Sequence, residues 1–168
     1  MVEAVARRKA PTTFNGPLEA GVRAVALLAA AHPYSFDLQR LIAFDYLLVH
    51  TGDVGGPDSL HPPAPLHSAE LLVRRKLVEQ ALLLMMTRDL VQRHVSAEGI
   101  RYRAGENATP FLQALQSGYL GALKDRADWL VGEFGALSDT EFRALMRRFF
   151  DRWVEEFQVA ERSLGLES

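Results

Sequence analysis

The stretch that most constrains this chain runs from Ser68 to Ala104, where a long helical pattern passes into two short alternating segments joined at a glycine. Ser68 stands where a helix cap is expected, Arg74, Arg75 and Lys76 follow within two turns, and the run Ala81-Leu82-Leu83-Leu84-Met85-Met86 closes the helix. Leu90 to Val95 and Ile100 to Arg103 then alternate around Ser96-Ala97-Glu98-Gly99. That is a hairpin pattern, because glycine supplies the positive φ such connections need. A helix leading into a ribbon of this kind is what a winged-helix domain uses, its third helix entering the DNA major groove and its wing meeting the backbone.

The preceding sequence supplies two more helices. Asn15-Gly16-Pro17 makes a turn with proline where a first helical turn tolerates it, and Leu18, Val22, Val25, Leu28 and Ala29 then recur three and four apart up to Ala31. Ala20, Ala24, Ala26, Ala30 and Ala31 allow another helix to come close. Ser35 is the expected cap of a second helix reaching His50, apolar around most of its circumference, with Asp37, Gln39, Arg40 and Asp45 as its polar relief. Such a helix is central. The 51–67 segment, rich in glycine and proline, is a long loop of the sort that is often functional or partner-facing.

Beyond the ribbon, Thr109-Pro110 opens a short helix from Phe111 to Gln116, and Tyr119 to Phe134 forms another. Ser138 and Glu141 form a capping box for a last helix reaching about Arg162. The fold class is therefore mainly α: a winged-helix-like core of three helices plus a two-stranded β-ribbon, with a C-terminal helical extension. The expected organisation is a disordered basic arm over 1–14, the core over 15–105, and the extension over 106–168 packed on the same domain.

Composition excludes several chemistries. The chain has no cysteine, so disulfides, thiolate metal sites and thiol nucleophiles are out, in keeping with a reducing cytoplasm. Its start lacks the apolar core of a signal peptide, and no later run approaches a membrane span. Net charge is −2, yet residues 68–103 carry seven basic and four acidic side chains while 104–168 carry seven and eleven. A basic segment in an acidic protein suits phosphate or an acidic partner, and its alternative reading is a solvated helix face.

The basic face is assigned to Arg74, Arg75, Lys76, Arg93, Arg101 and Arg103, as partner- or phosphate-binding residues. Arg101 and Arg103 leave the same side of their strand. Against DNA reading stand the long connection before the third helix and the lack of an Asn, Gln or Ser cluster for base edges. The last helix carries an aromatic stripe, and Phe149, Phe150 and Trp153 spread it over an arc wide enough to need a second neighbour, read here as a partner-binding face. His50, Asp53, His61 and His67 crowd the start of the long loop, but no pair has helical metal spacing and no metal or other cofactor is assigned. The glycines at 52, 55 and 56 lack the lysine and serine or threonine of a phosphate loop, and no catalytic residue is assigned.

Several separated strings carry a resemblance: Phe14 to Gly21, Phe36 to Leu41, Asp45 to Asp53, Gly56-Pro57, Ser59 to Pro62, Ser68 to Arg75 and Gly99 to Ala104. Together they resemble the middle component of bacterial ABC-type three-component systems, the class of conflict and antiphage operons that includes Lamassu-like systems. The likeness covers about residues 14 to 137. It implies a non-catalytic adaptor encoded beside an SMC-like or Rad50-like ABC ATPase and a separate effector, commonly a nuclease. It further implies that the adaptor couples the ATPase to the effector, with non-specific DNA contact only in the complex. The rival readings are a winged-helix DNA-binding transcription regulator and a metal hydrolase using the His50 to His67 region.

Overall fold

The structure is a computed structural model that describes residues 16–62 and 68–149, leaving the side chains of 68–72 and of Phe149 outside the description. Six α-helices and one antiparallel β-ribbon form the described part. They are α1 (Pro17–Ala31), α2 (Leu38–Val49), α3 (Ser68–Met86), β1 (Val91–Ser96), β2 (Gly99–Ala104), α4 (Ala108–Ala114), α5 (Gly118–Phe134) and α6 (Asp139–Phe149).

Helix α1 lies at the centre, packed against α3, α5, α2 and β2. The expected single apolar stripe understates its burial, because Ala20, Ala24, Ala26 and Ala31 are also inside. Small side chains are what permit this. At Gly21 an added Cβ would lie 2.3 Å from Met85 Cε of α3, so the two helices meet with no room for a methyl group. Helix α2 is buried over nearly its whole length, and Phe44 stacks edge-on against Phe36 at 5.2 Å and Phe142 at 5.3 Å, tying α2 to α6.

Helix α2 begins later than expected. Phe36 is extended, exchanging both backbone hydrogen bonds with Tyr102 of β2, so the helix starts only beyond it. Asp37 is the cap, its Oδ1 accepting from the Arg40 amide at 2.8 Å, and the Ser35 hydroxyl is left for another partner. The last helix is capped as the sequence predicts: Ser138 Oγ accepts from the Glu141 amide at 3.1 Å and Glu141 Oε1 accepts from the Ser138 amide at 3.0 Å. Its course beyond Phe149 lies outside the described residues.

The ribbon is fixed to α3 by the way that helix stops. The Leu90 amide reaches back to the Met85 carbonyl and the Asp89 amide to that of Met86, while Asp89 takes φ +58. This is a Schellman stop with aspartate in the left-handed position, sealed by the buried pair Met85 and Leu90. The ribbon then pairs Val91 with Ala104 through to Ser96 with Gly99, and only Ala97 and Glu98 lie between the strands.

Candidate interaction surfaces and the polar core beside them

Two polar positions of α2, Arg40 and Asp45, do not face water. Asp45 is buried, and its Oδ1 accepts from Arg23 Nε of α1 at 2.7 Å while its Oδ2 accepts from Arg74 Nη1 of α3. One carboxylate thus joins three helices. Burial lowers the Arg23 pKa, but the charge and hydrogen bonding of Asp45 outweigh it, so the net shift is upward. Arg74 also lies over the Tyr46 ring, 5.4 Å from its centroid.

Beside this pair sits a cluster of rings. His50 stacks on Tyr46 with centroids 4.2 Å apart, and His61 Nε2 lies 2.9 Å from the Tyr119 hydroxyl. Burial pushes both imidazoles below their ordinary value and the Tyr119 phenol above its own. Tyr46 Oη donates to Asp53 Oδ2 at 3.3 Å. The described residues contain no group of three or more His, Cys, Asp or Glu arranged to hold a metal ion; His67 of the predicted histidine-rich segment lies outside them.

The long loop is well fastened as far as Pro62. Thr51 to Val54 form a 3-10 turn, Thr51 Oγ1 donates to the Pro57 carbonyl at 2.7 Å, and the Leu60 and His61 amides both reach the Val49 carbonyl. From α5, Arg126 Nη2 donates to the Asp58 carbonyl at 2.7 Å, and the Trp129 ring lies against Gly56.

The six predicted basic residues do not form one surface. Arg74 turns inward to Asp45, and Arg75 pairs with Glu79 one turn on at 3.2 Å. Lys76 is exposed on α3. On the ribbon, the register sets Arg101 opposite His94 and Arg103 opposite Gln92 on one face, and Arg93 opposite Tyr102 on the other. Arg103 Nε donates to Gln92 Oε1 at 3.1 Å in the open, and Arg93 hydrogen-bonds the Tyr102 hydroxyl. Arg101 is turned back to Ser35, Nε to Oγ at 3.0 Å and Nη2 to the carbonyl at 2.8 Å.

These elements also carry apolar surface that the assigned site residues do not include. Val73, Leu83 and Leu84 are exposed on α3, and the ribbon ends in the cross-strand pair Val95 and Ile100, 68% and 48% exposed. The hint available was the unbroken 81–86 run, which is apolar around too much of the helix for one core face to absorb. Of the predicted aromatic face, Phe150 and Trp153 lie outside the described residues, as does the Phe149 side chain.

Among protein-family models, residues 13–156 match the one described as ABC-three component (ABC-3C) system Middle Component 2. No curated protein and no solved structure matches the chain.

Proposed function

The chain belongs to the Middle Component 2 family of ABC-three component systems, and from that premise we propose that it is a non-catalytic adaptor with a winged-helix-like core. In this reading it is a cytoplasmic subunit that couples an SMC- or Rad50-like ABC ATPase to a separate effector, such as a nuclease, in antiphage defence.

Topology supports the winged-helix part. Three helices precede the ribbon, and the α1–α2 link bridges β2 through Phe36 and Tyr102, the place where a winged helix carries its first strand. The observation that carries the adaptor part is the exposed composition of α3 and the ribbon. Where a DNA reader presents polar side chains to base edges, α3 presents Val73, Leu83 and Leu84, and the ribbon adds Val95 and Ile100 with Arg93 on the same face and Arg103 on the other. Apolar side chains with a guanidinium group beside them suit a protein surface carrying carboxylates. Lys76, Arg93 and Arg103 are the outward cations of the basic face in this scheme, and Phe149, Phe150 and Trp153 are a second contact.

Co-purification of the untagged chain with the products of its neighbouring genes, read by native mass, tests the reading. A stable complex with an ABC ATPase is expected, weakened by Arg93→Glu with Arg103→Glu. Purification without any ATPase, or a complex indifferent to that charge reversal, counts against it. Binding to one duplex sequence far above random competitor at matched salt would favour the transcription-regulator reading instead.

A further inference from the structure

A half-open groove of about 570 Å³ lies between the link joining α1 to α2 and the link joining α5 to α6, within the size range of ligand clefts. Ala30, Val131 and Leu137 line it with apolar atoms, and Tyr34, 73% exposed, stands at its rim. Two guanidinium groups also line it, those of Arg40 and Arg101.

Arg40 is held rigidly. Its Nη2 donates to the Leu137 carbonyl at 3.0 Å and pairs with Asp139 Oδ1 at 3.2 Å, while the guanidinium lies 4.4 Å over the Phe142 ring. Arg101 is held by neutral oxygens alone, both from Ser35. Among the described residues Asp139 is the sole carboxylate lining the groove, and its side chain is 61% exposed and so well screened by water. Asp37 lies near Arg40, but its Oδ1 is engaged by the Arg40 amide and it does not line the groove. Burial depresses the Arg40 pKa, Asp139 and Asp37 offset this, and Arg101 adds to the depression. Arg40 thus has two carboxylates within electrostatic reach, whereas Arg101 has no carboxylate partner among the described residues.

We propose that this groove binds an acidic, extended peptide segment of a partner protein, an Asp or Glu side chain reaching Arg101 while small apolar neighbours cover Ala30, Val131 and Leu137. Guanidinium forks match carboxylates bidentately. A free inorganic anion would leave the apolar walls wet, and a duplex presents its phosphates on a convex surface that does not enter a groove. The inference deepens the adaptor reading and rests on it for the source of the peptide. It places Arg101 in a site separate from the exposed ribbon arginines.

The test pans a displayed library of random peptides against the full chain, then titrates the most enriched sequence, fluorescein-labelled, by anisotropy. Enriched sequences are expected to carry Asp or Glu flanked by small apolar residues. Arg101→Glu should weaken binding at least tenfold, and Ala136→Trp, which fills the groove from its exposed rim, should do the same. Replacing the peptide's acid by its amide should also weaken binding at least tenfold, and this arm leaves the protein untouched, so no folding defect can mask it. Enrichment without acidic residues, binding that survives the amide peptide, or full displacement by equimolar inorganic phosphate overturns the proposal. Normal assembly with the ATPase by a chain that binds no acidic peptide overturns the groove and leaves the adaptor standing. Acidic peptide binding by a chain that recruits no ATPase does the reverse.

Discussion

Arg23 Nε donates to Asp45 Oδ1 at 2.7 Å between two side chains that are each 4% exposed, and Arg74 closes on the other oxygen of the same carboxylate. Removing a charge from water costs several kcal/mol, so such a group persists inside only when its partners are held in place. Here the partners come from α1 and α3, which makes Asp45 the register point of the helices around it.

Asp45→Asn leaves two guanidinium groups facing a neutral amide, and a loss of about 3–5 kcal/mol in unfolding free energy is expected. Arg74→Gln keeps the Arg23 pair and removes a more exposed charge, so about 1 kcal/mol is expected. Urea titration of both variants checks this. Equal losses would mean that Arg23 and Asp45 are not the core of the cluster.

The ribbon's attachment can be probed at two glycines that matter for different reasons. A Cβ at Gly105 would lie 2.1 Å from the Asp89 carbonyl oxygen, a backbone atom that also accepts from the Asn107 amide, so neither side can yield cheaply. Gly105→Ala is expected to cost about 2–3 kcal/mol. Gly99 has open space around it but φ +109, so Gly99→Ala pays backbone strain alone, about 1 kcal/mol. Thermal unfolding of the two variants should rank them in that order.

Buried His50 and half-buried His61 set a pH dependence whose sign is fixed. His50 is lowered from 6.5 first by burial, then by Arg74 and His61, with Asp53 and Asp45 opposing. His61 is lowered by burial and by Arg23 and Arg74, with Asp45 opposing. A depressed folded pKa means that the unfolded chain binds protons first as pH falls. Stability is therefore full above 6.5 and is lost as pH drops from there through the folded values. Urea midpoints measured from pH 7.5 to 5 should fall, and the His50→Gln, His61→Gln double variant should show a flatter profile. An unchanged slope in that variant would place the effect elsewhere.

Sequence reasoning reached the elements well where local chemistry decides them: the capping box at Ser138, the proline start of α1, the Ser68 to Ala104 helix and ribbon. It placed the α2 cap at Ser35, whereas the long-range bridge to Tyr102 holds Phe36 extended and moves the cap to Asp37. It took Asp45 and Arg40 for solvent-facing relief because their partners, Arg23, Arg74 and Asp139, lie 22, 29 and 99 residues away. Charge alone grouped six basic residues, whereas hydrogen bonds and strand register separate them. The groove at Arg40 and Arg101 had no local pattern, since two interhelical links and the ribbon build it.

Adjacent leucines in α3 offer the sharpest contrast between core and surface. Leu82 is buried beside Ala81 and Met85, whereas Leu83 is 57% exposed. Leu82→Ala removes buried methyl groups and leaves a cavity, so a loss of about 2–5 kcal/mol is expected with no specific effect on partner binding in the fraction that folds. Leu83→Glu touches no core contact and should change stability by less than about 0.5 kcal/mol. If α3 is a docking face, the same change puts a bare charge against the partner's desolvated surface and should weaken assembly with the ATPase at least tenfold in a pull-down titrated with purified components. Wild-type affinity in Leu83→Glu would remove α3 from the interface and leave the ribbon tip, Val95 and Ile100, as the surface to test next.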